Sequence, residues 1–368
     1  MTAESDSLVI GGGIIGLMSA RLLARAGQRV TVLDRGQLGA EASRAAGGIL
    51  CPLYPWRLPA SLQEFAHLAM AGFPSLVREL EHASGRPIGF RRTGLLLLDT
   101  EEFAAARAWA DRWQLGCREL EPSSLASMAP ELAADQALWF PDMANVYSTD
   151  LIAALREEAE ALGVVIRESV AVEGLRLSEG RIAGVMTDQG PLDADRVVIA
   201  AGAWSRFVLE QLSGTLPVRP VRGQIIQYPR GTVRLEAMVL SGRRYLVPRP
   251  EGELIVGSTL EDSGFDDQPT ETARDELCRA AEDILPALRE ASLEAHWAGL
   301  RPGAPDGMPY IGPWPGIQGL YLNTGHYQNG ILLAGVSAEL LAHHMLGSPS
   351  PVAPEPFRVD REDVAGFA

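Results

Sequence analysis

Cysteine is scarce in this chain: three residues, Cys51, Cys117 and Cys278, stand far apart with no CxxC or CxxxC spacing. That excludes a disulfide framework and a cysteine-based structural zinc site, and it fits a reducing compartment, the cytoplasm. Histidine is sparse too. The six residues His67, His82, His296, His326, His343 and His344 form no HExxH pattern, and the adjacent His343 and His344 read as a surface pair, so no metal site is expected. No GxSxG nucleophile elbow occurs. Basic charge is in deficit, with 32 Lys and Arg against 47 Asp and Glu for a net charge of −15. Such a surface repels nucleic-acid phosphates and anionic membranes, and neither is expected as a partner. Long apolar runs are missing as well: none reaches the roughly 18 residues of a membrane span. The first candidate, Leu8 to Ala26, is interrupted by Arg21 and Arg25 and preceded by Glu4 and Asp6, where a signal peptide carries basic residues.

What remains is a chain of 368 residues, 46% hydrophobic, long enough for two or three domains' worth of polypeptide. Ser7 to Ile10 reads as a strand, Ile14 to Ala26 as a helix stopped by Gly27, and Arg29 to Asp34 as a second strand. This strand-helix-strand unit belongs to a parallel sheet. Asp150 to Gly163 reads as an amphipathic helix capped by Thr149 or Asp150, followed by a strand over Val164 to Glu168 and another over Arg196 to Ala200. Arg91 to Asp99, Gly223 to Tyr228, Arg244 to Arg249 and Glu253 to Ser258 are short β-like segments bounded by Gly or Pro, the texture of an antiparallel sheet. Two domains interleaved in sequence follow from this alternation. The Pro-rich Ser348 to Pro356 reads as a surface tether.

Gly11, Gly13 and Gly16 form GxGxxG between a strand and a helix, where bare backbone lets a pyrophosphate approach the helix N-terminus. Asp34 closes the second strand at about the 20-residue distance of an acid that bonds a ribose hydroxyl. The unit serves NAD, NADP and FAD alike. Ala42 to Ile49 (ASRAAGGI) adds small side chains where backbone passes close to something flat or anionic, with Ser43 able to bond a phosphate.

Six segments together carry a resemblance: Val9 to Gly16 (VIGGGIIG), Ala46 to Ile49 (AGGI), Val197 to Ser205 (VVIAAGAWS), His296 to Gly303 (HWAGLRPG), Asp306 to Gly312 (DGMPYIG) and Gly325 to Ile331 (GHYQNGI). In this order, over about residues 7 to 346, they resemble the D-amino acid oxidase superfamily, and within it the glycine oxidases of bacterial thiamine biosynthesis. The resemblance implies a D-amino acid oxidase-like fold, α/β plus α+β. A discontinuous Rossmann-type FAD-binding domain (1–85, 145–217 and 297–368) would be interleaved with an antiparallel β-sheet substrate domain (86–144 and 218–296). FAD would contact Gly11, Gly13, Ile14, Ile15, Gly16, Asp34, Arg35, Ala42, Ser43, Gly47, Gly48, Ile49, Ala171, His326, Tyr327, Gln328, Asn329, Gly330, Ile331 and Leu332. It would be held noncovalently, because the flavin-linking cysteine of sarcosine oxidases lies near the C-terminal part and no cysteine follows Cys278. Cys51 reads as a packed residue.

Arg301 matches the arginine that clamps the substrate carboxylate, a task suited to a planar guanidinium fork. An ion-paired structural arginine is the competing reading. Tyr245 matches an active-site tyrosine, with simple packing as its alternative, and Ile49 borders the substrate. Gln328 stands where an arginine is expected in glycine oxidases, so Arg244 or Arg243 is expected to supply the missing charge if either points inward. The implied reaction sends hydride from the α-carbon of a small amino acid to flavin N5 without a side-chain base. The imine then hydrolyses to a keto acid and ammonia or amine, and dioxygen becomes hydrogen peroxide. Sarcosine or iminodiacetate oxidation and a D-amino acid dehydrogenase remain alternatives. A homo-oligomer is expected.

Overall fold

A computed structural model describes residues 5–212 and 216–361. Strand Ser5–Ile10 forms the centre of the first sheet, paired in parallel with Val30–Leu33 on one side and Gly190–Ile199 on the other. Leu320–Thr324 and Tyr310–Pro313 extend the sheet beyond Gly190–Ile199, and Val165–Arg167 closes the opposite edge. Side chains alternate along these strands as the pleat requires. Val9, Val32 and Val198 face a core built with helices Ile14–Arg25, Ala60–Ser84, Ser148–Ala161 and Gly330–Leu346. Leu8, Ile10, Leu33, Val197 and Ile199 face a second core that includes the hairpin Val172–Ser178 and Arg181–Thr187. Both faces of the parallel strands are thus covered, and this is why their sequences read as continuous apolar runs.

The second sheet also has eight strands, in the order Ala295–Gly303, Arg219–Tyr228, Leu254–Gly257, Arg244–Pro248, Met238–Ser241, Leu95–Leu97, Ala137–Phe140 and Arg118–Leu120. One pairing departs from the antiparallel expectation: Met238–Ser241 runs parallel to Leu95–Leu97. One face packs under helix Glu271–Ile284 through Ile226, Val239, Leu246, Val256 and Leu277. The other carries Ile225, Tyr245, Val247 and Ile255 toward Ile49 and Trp297.

Two further differences have physical causes. The helix expected to be capped by Thr149 or Asp150 starts at Ser148, with Tyr147 as a cap lacking any side-chain bond. The Ser148 hydroxyl instead donates to the Ala46 carbonyl at 3.5 Å, tying the helix to a cavity-lining segment. The 25-residue helix Ala60–Ser84 runs through Pro74, a residue that disfavours helix interiors, while Leu62, Phe65, Ala66, Ala69, Phe73, Val77 and Leu80 bury one face at helical spacing. Among the described residues, no helix is long and apolar enough to cross a membrane.

Three helices are pinned by a charge cluster. Buried Arg21 bonds buried Glu158 at 2.7 Å, Arg25 bonds Glu158 at 2.5 Å, and Glu79 reaches both arginines at 3.1 and 2.9 Å. Removing one partner of a buried pair leaves a desolvated charge, so Glu158→Gln is expected to destabilise the fold by about 3 kcal/mol. The measurement is the urea midpoint, and a midpoint equal to that of the native protein would show that Glu79 suffices to neutralise Arg21.

Candidate active site

One long cavity joins the two sheets. Its first half begins where strand Ser5–Ile10 ends. Gly11 has φ +106°, and a Cβ there would lie 2.8 Å from the Ala200 carbonyl carbon. A side chain at Gly16 would collide with the Gly11 carbonyl, so Gly16 serves close strand-helix packing and does not line the cavity. The helix opening at Ile14 carries no acidic residue in its first turn, and the Ser43 hydroxyl accepts the Ile14 N–H at 3.0 Å. Asp34 is held by the Gly12 and Gly36 N–H groups at 2.7 and 2.8 Å. Arg35 stacks 3.9 Å over the Trp204 ring at the same end. Of the residues expected at a cofactor, Gly11, Gly13, Ile14, Ile15, Asp34, Arg35, Ala42, Ser43, Gly47, Gly48, Ile49, Ala171 and the run His326 to Ile331 line this cavity. Gly16 and Leu332 lie behind its wall, Leu332 buried in the helical core.

The second half is one face of the antiparallel sheet. The register places Trp297 opposite Ile225, Ile225 opposite Gly257 and Gly257 opposite Tyr245, with Gly223 and Arg301 further along the same face. The Arg301 guanidinium occupies the space that a side chain at Gly223 would fill. It donates to the Ser258 hydroxyl at 2.7 Å and the Thr259 carbonyl at 3.1 Å, and among the described residues no carboxylate pairs with it. The buried Tyr245 ring is packed between Gly47, where a Cβ would come within 2.9 Å of its hydroxyl, and Gly257, where a Cβ would overlap it. Burial pushes the Tyr245 hydroxyl above its ordinary range, and the nearby Arg301 charge opposes that rise. Ile49 and Gln328 line this end. Arg244 does not: it lies on the opposite side of the strand, donating to the Ser258 carbonyl at 2.8 Å and pairing with Glu276.

Sequence reasoning missed three residues here. Gly223 and Ser258 line the cavity but sit in unremarkable sequence. Arg249 is buried behind the wall, where it donates to the Gly47 carbonyl at 2.9 Å and the Val146 carbonyl at 3.0 Å and stacks 4.8 Å from the Tyr147 ring. Burial holds its guanidinium below the ordinary range. Its position after an apolar strand was the available signal. At the far wall, His326 shares a 2.9 Å bond between Nε2 and the Ser337 hydroxyl, while Nδ1 has no partner among the described residues. Burial lowers the imidazole to about 3. The buried Cys51 thiol is pushed up to about 12 by desolvation, which leaves it neutral.

Comparison with known proteins converges on one group. The family described as DAO, FAD dependent oxidoreductase, matches residues 6–344. A glycine oxidase of Pseudomonas aeruginosa is 41% identical over 95% of this chain and 97% of its own length. The crystal structure of glycine oxidase from Geobacillus kaustophilus superposes with a TM-score of 0.91 at 29% identity, covering 98% of this chain and 100% of that one. An iminodiacetate oxidase from Chelativorans sp. superposes with a TM-score of 0.86 at 28% identity over 96% of this chain and 98% of the other.

The cavity geometry has two measurable consequences. Gly223→Ala is expected to displace the guanidinium and weaken binding of a simple carboxylate such as acetate at least tenfold, since charge-assisted bonds are lost. Unchanged acetate binding would mean that Arg301 has another resting place. For His326, the imidazole's pKa is about 3 in the fold against an ordinary 6.5. As pH falls below 6.5 the unfolded chain takes up a proton that the folded one refuses, so stability declines between those values. The urea midpoint should therefore fall more steeply from pH 7.5 to 5.0 in the native protein than in His326→Gln, and equal slopes would refute a neutral buried imidazole.

Proposed function

This chain belongs to the DAO family of FAD-dependent oxidoreductases, and we propose that it oxidises the C–N bond of glycine or another small or N-substituted amino acid. The observation that carries this reading is the Arg301 guanidinium, which among the described residues has no carboxylate partner, placed beside Tyr245 in the cavity that begins at the GxGxxG turn. The residues present fit FAD. Gly11, Gly13 and Ser43 line the cavity around the N-terminus of the helix at Ile14, which opens without acidic residues, and a Cβ at Gly11 would press on the Ala200 backbone beside it. When bound, FAD accepts two electrons from the substrate and passes them to dioxygen, which leaves as hydrogen peroxide.

The chain's own residues bind and orient. Arg301 takes the carboxylate through two parallel donors, Tyr245 adds a third, and the apolar Ile49, Leu53 and Ile225 exclude water around the α-carbon. Among the described residues no carboxylate lines the substrate end as a base; the two acids that line the cavity, Asp34 and Glu41, belong to the half that begins at the GxGxxG turn. The imine product hydrolyses to a keto acid, glyoxylate in the case of glycine, with release of ammonia or an amine.

The same proposal includes noncovalent FAD, supported by Cys51: it is the cysteine that lines the cavity, and its thiol is neutral. A cytoplasmic homo-oligomer acting in thiamine biosynthesis, and the domain division 1–85, 145–217 and 297–368 against 86–144 and 218–296, also belong to it. Residues 1–4, 213–215 and 362–368 of that division lie outside the described residues.

Arg301 is the arginine at the substrate end, since Arg35 is stacked on Trp204 at the other, and Gln328 brings no charge. A substrate with one carboxylate is therefore favoured over iminodiacetate. Anaerobic mixing of the yellow protein with glycine, sarcosine, iminodiacetate and D-alanine tests this by flavin absorbance, followed by peroxide on aeration. Rapid bleaching by glycine or sarcosine with peroxide formation is expected. Failure of every amine would remove the proposed activity, and fastest bleaching by iminodiacetate would remove the one-carboxylate preference.

A further inference from the structure

Gly47 and Gly48 are buried and line the cavity, and among the described residues neither of their N–H groups, nor that of Ile49, meets an acceptor. Buried backbone donors are almost always paired, so the acceptor for such groups is a ligand in the cavity. The carbonyls of the same stretch are held by the protein instead. Ala46 accepts from the Ser148 hydroxyl at 3.5 Å, Gly47 from Arg249 Nη2 at 2.9 Å and Gly48 from the Val146 N–H at 2.8 Å.

Arg249 does not line the cavity. In a trans peptide the carbonyl and the N–H that follows it point in opposite directions, so a Gly47 carbonyl turned to Arg249 leaves the Gly48 N–H turned toward the cavity. The arginine is itself well fixed. Its Nη1 donates to the Val146 carbonyl at 3.0 Å and to Asn145 Oδ1 at 3.4 Å, and its guanidinium lies 4.8 Å from the Tyr147 ring. A neutral donor could satisfy one carbonyl at a lower desolvation cost, whereas the guanidinium fork joins two. The peptide it holds lies between two glycines, whose backbone rotates with little steric penalty. Without Arg249 the buried Gly47 carbonyl would lose its donor, and turning it into the cavity would place an acceptor where the donor stood.

We propose that Arg249 is a positioning residue for the cofactor: by holding the Gly47 carbonyl it fixes the Gly47–Gly48 peptide with the N–H directed at an acceptor atom of bound FAD. The role rests on FAD filling this cavity and not on which amine is oxidised. It also links the two sheets. Arg249 directly follows strand Arg244–Pro248, and Tyr245 of that strand packs against Gly47, so the strand that presents the tyrosine also orients the cofactor's wall.

The test uses the FAD-loaded protein and two readouts, FAD release on dilution followed by flavin fluorescence and the visible spectrum of the bound flavin. Arg249→Met is expected to release FAD about tenfold faster, the effect of one lost hydrogen bond, and to shift the flavin absorption bands. Arg249→Lys, whose ammonium has donors for both carbonyls, should restore both readouts. A purely structural arginine would lower the urea midpoint of Arg249→Met yet leave release and spectrum native in the folded protein, and that result would overturn the proposal. Where Arg249→Met does not accumulate as holoenzyme, the native protein decides: its Gly48 amide should exchange with solvent about tenfold more slowly with FAD than without, and equal rates would overturn the assignment. A native protein that takes up no FAD would instead overturn the cofactor reading, and the role of Arg249 with it.

Discussion

Among the described residues no carboxylate pairs with Arg301, and the end of the cavity proposed to take the substrate is arranged around this positive charge. The contrast with Arg222 shows how selective this is. Both arginines lie on the paired strands Arg219–Tyr228 and Ala295–Gly303, and the register puts Val221 opposite Arg301, so Arg222 points to the other face. There Arg222 is neutralised by Glu261 and Asp266, both at 2.7 Å. Arg301 has neutral acceptors in Ser258 and Thr259. Arg301 is only half-buried and lines the cavity, so its remaining donors are available to an anion. Gly223, Gly257 and Gly47 follow from the same requirement: each keeps clear a volume that Arg301 or Tyr245 occupies.

The two halves of the cavity are joined by backbone contacts as much as by side chains. Gly48 accepts the Val146 N–H, Gly47 and Val146 offer carbonyls to Arg249, and Ser148 reaches Ala46. Arg249 follows directly on the sheet strand that carries Tyr245, so the segment facing the cofactor half is clamped by an element of the substrate half. Replacing Arg249 by an apolar residue would release two buried carbonyls at once, each with a desolvation penalty of about 1–3 kcal/mol.

The strand-helix-strand opening was legible because a short continuous apolar run gives way at a glycine cluster to apolar side chains at helical spacing, and five of the six motif segments contribute residues to one cavity, Asp306 to Gly312 lying outside its lining. Other features were hidden for definable reasons. Pro74 masks an otherwise regular apolar stripe along Ala60–Ser84. The parallel contact between Met238–Ser241 and Leu95–Leu97 joins segments too remote for any local signal. Ser258 is an ordinary serine until the sheet folds, since the partner of its hydroxyl lies 43 residues away at Arg301. Arg244 is the instructive case. Adjacent to Tyr245, it was expected to point inward, yet strand alternation alone places neighbours on opposite faces. With Tyr245 facing the cavity, Arg244 must face away, where Glu276 receives it.

Long-range and local electrostatics act differently on such a site. The chain carries −15 overall, yet its cavity presents a helix N-terminus free of first-turn acids and an arginine without a carboxylate partner. Screening confines surface potentials to about 8 Å at physiological ionic strength, so the acidic exterior acts on an approaching ligand only near the entrance. A zwitterionic amino acid has no net charge and passes that field unopposed, and its carboxylate meets the guanidinium only inside, where the dielectric is low and the contact strong. An additional carboxylate would find, among the described residues, no second arginine beside Arg301, because Arg35 lines the cavity at its other end, stacked on Trp204. The single arginine proposed as the clamp therefore favours a ligand with one carboxylate.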